Sequence, residues 1–96
     1  MNEAACVVGI DVAKRKLDIA LLVNGKTKSK VFDNIPAGHA LLRQWLAERG
    51  TPQEHTHICM EATGAYSEAV AIALVEAGWR VSVVNPARIN GFAQGE

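Results

Sequence analysis

Cysteine is scarce in this chain of 96 residues: only Cys6 and Cys59 occur, far apart and each inside an apolar run. They offer neither the spacing of a zinc site nor the density of a disulfide scaffold, so both read as small core residues of a protein kept in a reducing cytoplasm. An excess of charge of either sign is also missing, with 10 Lys+Arg against 10 Asp+Glu. That balance excludes a surface that is a basic nucleic-acid footprint throughout, while leaving room for a local one, and it gives little electrostatic protection against self-association. No run approaches the roughly 20 apolar residues that a membrane span requires, and the segment from Met1 to Ala5 lacks the basic flank and apolar stretch of an export signal. Repeats, low-complexity tracts and internal linkers are absent too. With hydrophobic residues at 49%, the chain reads as one globular domain over residues 1–96. A domain of this length buries roughly 60–65% of its unfolded surface, which makes a modest core.

The first apolar run, Ala5 to Asp11, is β-branched and ends abruptly in a carboxylate. Continuous runs of this kind predict a central strand buried on both faces. Lys16 to Val23 places Leu17, Ile19 and Leu21 at period two, a second strand, and Asn24-Gly25 after it signals a two-residue hairpin. Lys26, Lys28 and Lys30 then mark a solvated edge strand, because charges on an edge discourage pairing with other chains. Pro36 opens a helix carrying Leu41, Leu42, Trp45 and Leu46 at helical spacing, and Gly50 stops it. Thr56 to Glu61 repeats the design of the first strand, an apolar run terminating in a carboxylate. Ala62-Thr63-Gly64 leads into a second amphipathic helix with Tyr66, Ala69, Val70, Ala73, Leu74 and Ala77 on one stripe, ending at Gly78. Arg80 to Val84 is a further buried strand, Asn85-Pro86 breaks it, and Ala87 to Gln94 begins another helix. Three hairpin-linked strands followed by alternating helix and strand predict an α/β mixed sheet with helices on its faces. The ribonuclease-H-like architecture has this order, its first strand lying beside the fourth.

Asp11 and Glu61 are the informative residues. If their strands are parallel neighbours, both carboxylates emerge at the C-terminal edge of the sheet, where open α/β sheets place ligands. Carboxylates converging there suit Mg²⁺ or Mn²⁺, hard cations that accept a few carboxylate oxygens and leave other positions to water and substrate phosphate. Two such ions would activate a nucleophile and stabilise a leaving oxygen in phosphodiester chemistry. Equally, a strand ending in Asp or Glu caps the helix or turn that follows. Asp18 and Asp33, on or beside the hairpin, read as solvated.

Val8-Gly9-Ile10-Asp11-Val12-Ala13-Lys14, Leu17-Asp18-Ile19-Ala20, Met60-Glu61-Ala62-Thr63-Gly64-Ala65-Tyr66, Val83-Val84-Asn85-Pro86-Ala87-Arg88 and Phe92 together resemble the N-terminal domain of DEDD transposases related to the Piv DNA invertase. These are insertion-sequence enzymes with a RuvC-like fold. The resemblance spans almost the whole chain, and its blocks fall in the family's order. It implies that Asp11 matches the first catalytic Asp and Glu61 the catalytic Glu, with Mg²⁺ or Mn²⁺ as cofactor and DNA, with a guide RNA as a second candidate, as partner. The family's two remaining acidic residues follow in a Lys-Thr-Asp segment that these residues do not reach, and its serine-bearing C-terminal domain is likewise outside them. The expectation is a domain that binds metal weakly by itself and is inactive in recombination alone, assembling as a homo-oligomer.

Other residues keep two readings each. Lys14, Arg15 and Lys16 contact nucleic-acid phosphates or form a solvated turn, and the same choice covers Lys26, Lys28 and Lys30. Thr63 and Gly64 present backbone N–H groups to a phosphate, or simply cap a helix, with Tyr66 near the site or packed. His55 and His57 share one strand face in a weak metal signal, and with His39 they otherwise read as surface or strand-entry residues; Trp45 and Trp79 read as core or interface anchors. Two functional rivals stand beside the transposase reading. An actin-like kinase domain begins with a similar strand and Asp, but places glycines right after that Asp where this chain has Val12-Ala13. A non-catalytic transposase remnant, serving as a dimerising or regulatory module, is the other.

Overall fold

The computed structural model describes residues 6–49, 52–61 and 64–84. Their elements run β1 (Cys6–Val12), β2 (Lys16–Val23), β3 (Lys26–Asp33), α1 (Pro36–Glu48), a 3₁₀ turn (Gln53–His55), β4 (Thr56–Glu61), a second 3₁₀ turn (Gly64–Ser67), α2 (Glu68–Glu76) and β5 (Arg80–Val84). The five strands form one sheet in the order β3-β2-β1-β4-β5. β2 is antiparallel to β1 and β3, whereas β4 is parallel to β1 and β5 to β4. Every strand but β2 therefore ends at the same edge.

Local sequence accounts for the joints. Asn24 and Gly25 have φ of 53° and 75°, the left-handed pair that a type I′ hairpin requires. Pro36 stands in the first turn of α1, where its missing N–H removes no helical bond. Gly78, at φ 99°, closes α2: its N–H donates to the Val75 carbonyl and that of Trp79 to the Leu74 carbonyl. This is the Schellman arrangement, and it turns the chain directly into β5.

The core lies on one face of the sheet. Val8, Ile10, Leu17, Ile19, Leu21, Ile58 and Met60 meet Leu42 and Leu46 of α1, Val70 and Leu74 of α2, and Trp79 in a single buried cluster. Each fully buried Leu, Ile or Val stabilises the fold by about 1.5–3 kcal/mol relative to exposure. Both described helices serve this face, so β1 is not buried on both sides as its sequence predicts. It alternates, with Cys6, Val8, Ile10 and Val12 inside while Val7 and Asp11 are exposed. For the same reason Cys59, on the other face, is only half-buried, and Cys6 alone of the two cysteines is a core residue.

Two further expectations are corrected. The second helix begins at Glu68 after a 3₁₀ turn, and its buried residues are Val70 and Leu74, with Tyr66, Ala69 and Ala77 exposed. In α1, Leu41 of the expected stripe faces solvent, while Trp45 is half-buried with its ring 6.0 Å from that of Phe32, edge to face. Trp79 is a core residue. The expected helix from Ala87 to Gln94, the stop at Gly50 and the turn residue Thr63 lie outside the described residues.

Two glycines separate the packed face from the open one. At Gly38, in the first turn of α1, a Cβ would collide with the backbone carbonyl of Asp33, whereas at Gly9 it would meet nothing within 4 Å. Gly38→Ala is expected to cost about 1–3 kcal/mol or more in urea unfolding, because the close approach of helix and strand leaves no room. Gly9→Ala should stay within about 0.5 kcal/mol of the parent. Equal losses at both positions would contradict this assignment of faces.

Candidate functional site

Three rows of side chains cross the open face. The middle row, Ser29, Ala20, Gly9, Cys59 and Ser82 by strand register, consists of small residues throughout. Toward the C-terminal edge of β1, the next row runs Val31, Asp18, Asp11, then Glu61 and Val84. Asp11 and Glu61 follow directly on the paired residues Ile10 and Met60 of two parallel strands. They are thus side by side, at the strand spacing of about 4.8 Å. Small residues below the acidic row leave a trough of about 560 Å³, bordered by Asp11, Asp18 and Glu61.

Asp18, expected on or beside the hairpin and solvated, is indeed exposed on β2, but its place in the acidic row was not foreseen. Asp18 is paired with Asp11 across β1 and β2 on the open face. Its signal was available: an Asn-Gly hairpin joins β2 to β3, and the short turn before β2 fixes which residue faces Asp11. Like charges directly opposite one another on a sheet are destabilising. None of the three carboxylates makes an ion pair or side-chain hydrogen bond with another described residue.

The basic turn is adjacent. Lys14 and Arg15 lie in the exposed link between β1 and β2, which is closed by the Ala13 N–H donating to the Lys16 carbonyl at 2.9 Å. Lys16 stands 3.6 Å from Asp33, an exposed pair worth about 0.2–1 kcal/mol at most. Lys26, Lys28 and Lys30 are paired with Val23, Leu21 and Ile19, which places them on the helix-bearing side of the sheet, away from the carboxylates. His57, also on the open face, bonds Ser82 Oγ at 2.7 Å, while His55 lies in the 3₁₀ turn, so the two do not share a strand face. Gly64 opens a 3₁₀ turn rather than the α-helix, whose N-cap position is Ser67.

Asn34, between β3 and α1, was not singled out by sequence. Its Nδ2 donates to the carbonyls of Ala13 at 2.9 Å and Tyr66 at 3.0 Å, and its backbone N–H to that of Arg15 at 2.9 Å. Its Oδ1 lies 2.8 Å from His39 Nε2. With the amide nitrogen fixed by two carbonyls, the oxygen can only accept, so His39 carries its proton on Nε2.

A sheet of order β3-β2-β1-β4-β5, central first strand and carboxylates at the C-terminal edge, defines the ribonuclease-H-like class. Two solved structures share the fold: Thermus thermophilus RuvC in complex with a Holliday junction substrate (TM-score 0.61, 21% identity, covering 91% of this chain and 68% of that one), and a Bacteroides thetaiotaomicron protein with an actin-like ATPase fold and unknown function (TM-score 0.70, 19% identity, covering 86% and 34%). Within that class, the chain belongs to the DEDD transposases of the IS110 type, a family described as Transposase that matches residues 8–96. It is 31% identical over 87 residues to the pilin gene-inverting protein of Moraxella lacunata and 30% identical to that of Moraxella bovis. The match covers 91% of this chain, which spans 27% of the length of those relatives. Among the described residues, no helix is long and apolar enough to cross a membrane.

Burial, and secondarily the Arg43 charge, hold the His39 imidazole below its ordinary value of 6.5. The folded state therefore keeps His39 neutral where the unfolded chain already takes a proton. Its contribution is complete above pH 6.5, declines as the pH falls through that value, and levels off below the lowered folded value. Acidification from about pH 7.5 to about pH 5 should destabilise the parent more than a His39→Gln variant, as read by urea midpoints. Parallel pH profiles for the two proteins would contradict it.

Proposed function

We propose that these residues form part of the strand-breaking site of a DNA transposase, with Asp11 and Glu61 as the carboxylates that hold a divalent cation. The observation that carries this reading is the register of β1 on β4, which sets the two acids side by side at the sheet edge. Family membership supplies the chemistry, and the RuvC complex supports a DNA junction as the kind of substrate that this fold accommodates.

Among the described residues, no group of three or more His, Cys, Asp and Glu converges tightly enough to hold an ion. The residues present still fit Mg²⁺ or Mn²⁺, which keep several waters and take one or two carboxylates together with substrate phosphate. When bound, such an ion supplies an activated nucleophile and charge neutralisation at the scissile phosphate. Asp11 and Glu61 orient the metal-facing oxygens from rigid strands. Lys14 and Arg15, on the exposed turn beside Asp11, meet the phosphate backbone and set its position without reading sequence. Lys16 adds to that field while paired with Asp33. Thr63 and Gly64 remain candidates for backbone contacts to phosphate at the start of the segment after β4. Because two carboxylates alone hold a hydrated ion weakly, catalysis is assigned to a chain that also carries the family's downstream acidic residues.

The test is strand exchange by a chain extended to the length of the curated relatives. Asp11→Asn and Glu61→Gln should each lower the rate by on the order of 10²-fold or more with Mg²⁺ present, with little change in melting temperature. Unchanged strand exchange in either variant would overturn the assignment. A rise in melting temperature with ATP, together with that insensitivity, would favour the actin-like alternative.

A further inference from the structure

We infer that Asn34 is a positioning residue for the Asp11 and Glu61 site, a role that rests on the reading of that site given above. The chain segments that leave the two carboxylates are the turn after Asp11 and the 3₁₀ turn after Glu61. They come from different strands. Among the described residues, the Asn34 side chain joins them. Asn34 spends both amide protons on these segments, one on the Ala13 carbonyl and one on that of Tyr66, at 2.9 and 3.0 Å.

The geometry of this clamp is fixed from a third side. Asn34 follows β3, whose C-terminal end lies at the same sheet edge as those of β1 and β4, and its backbone N–H is engaged by the Arg15 carbonyl. Its Oδ1 accepts from His39 Nε2 at 2.8 Å, and His39 is a buried residue of α1. The amide plane is therefore locked by two donated bonds and one accepted bond, to partners 21, 32 and 5 residues away. An Asp in this place would keep the acceptor and lose both donors. A residue with only a hydroxyl could not span both carbonyls. The amide thus ties the two connections to one another, and this tie adds to the β1–β4 register in holding the carboxylates that precede them.

Hydrogen exchange in the 96-residue chain tests the clamp without any need for catalysis. Asn34→Ala and Asn34→Asp are compared with Gln53→Ala, which loses a single bond of 2.9 Å to the Ala77 carbonyl, outside the clamp. In both Asn34 variants, amides of residues 12–16 and 64–67 are expected to exchange about tenfold faster or more, while those of Val8 and Ile58 keep the parent rate. His39→Gln, which retains an N–H donor, should stay near the parent at both segments. Faster exchange at only one segment, at neither, or uniformly across the sheet would overturn the inference, the last because it would make Asn34 a general stabiliser. In the extended chain, Asn34→Ala should lower the strand-exchange rate at saturating DNA about tenfold or more with half-saturation within about threefold. An unchanged rate despite loosened segments would overturn the positioning role. Insensitivity of strand exchange to Asp11→Asn or Glu61→Gln would instead overturn the reading of the site itself.

Discussion

Parallel pairing of β1 with β4 constrains everything else in this domain, because it joins two strands far apart in sequence and decides which of their residues become neighbours. Val8 lies against Ile58 and Ile10 against Met60, all buried beneath the helices. A slip of one residue would carry these side chains to solvent and the polar face inward, so the hydrophobic core enforces the register. The same register leaves Asp11 beside Glu61. The position of two charged groups is thus set by the burial of their uncharged neighbours.

A second consequence is the division of labour between the two faces. One face receives α1, α2 and the core, and Gly38 lets the first turn of α1 approach the Asp33 backbone. The other carries a row of small residues beside a row of acids. Lysines follow the same division: those of β3 share the helix-bearing side, whereas Lys14 and Arg15 stand in the turn beside Asp11. A chain of zero net charge can in this way hold a local basic element where phosphate would be met.

The element order was legible because its signals were strong and local. Leu17, Ile19 and Leu21 at period two, Asn24-Gly25 and Pro36 each act through their own backbone or nearest neighbours, and each is found where it was expected. Asp11 and Glu61 stood out because a carboxylate ending an apolar run is costly unless it emerges at an edge. What could not be read depended on packing. Val7 and Cys59 read as core until the helices prove to share one face. Tyr66 read as part of a stripe until the chain enters α2 through a 3₁₀ turn, which shifts the helical phase. Asn34 gave no signal, because its three side-chain partners are brought together only by the fold.

Asp11 and Glu61 are proposed to serve one divalent ion. Mn²⁺, which broadens nuclear resonances near it, tests this most directly in the 96-residue chain. Signals of Asp11 and Glu61 should broaden together over the same range of Mn²⁺ concentration, and Asp11→Asn should abolish the broadening at Glu61. Broadening of the two residues at separate concentrations, or Glu61 broadening that survives Asp11→Asn unchanged, would contradict a shared site.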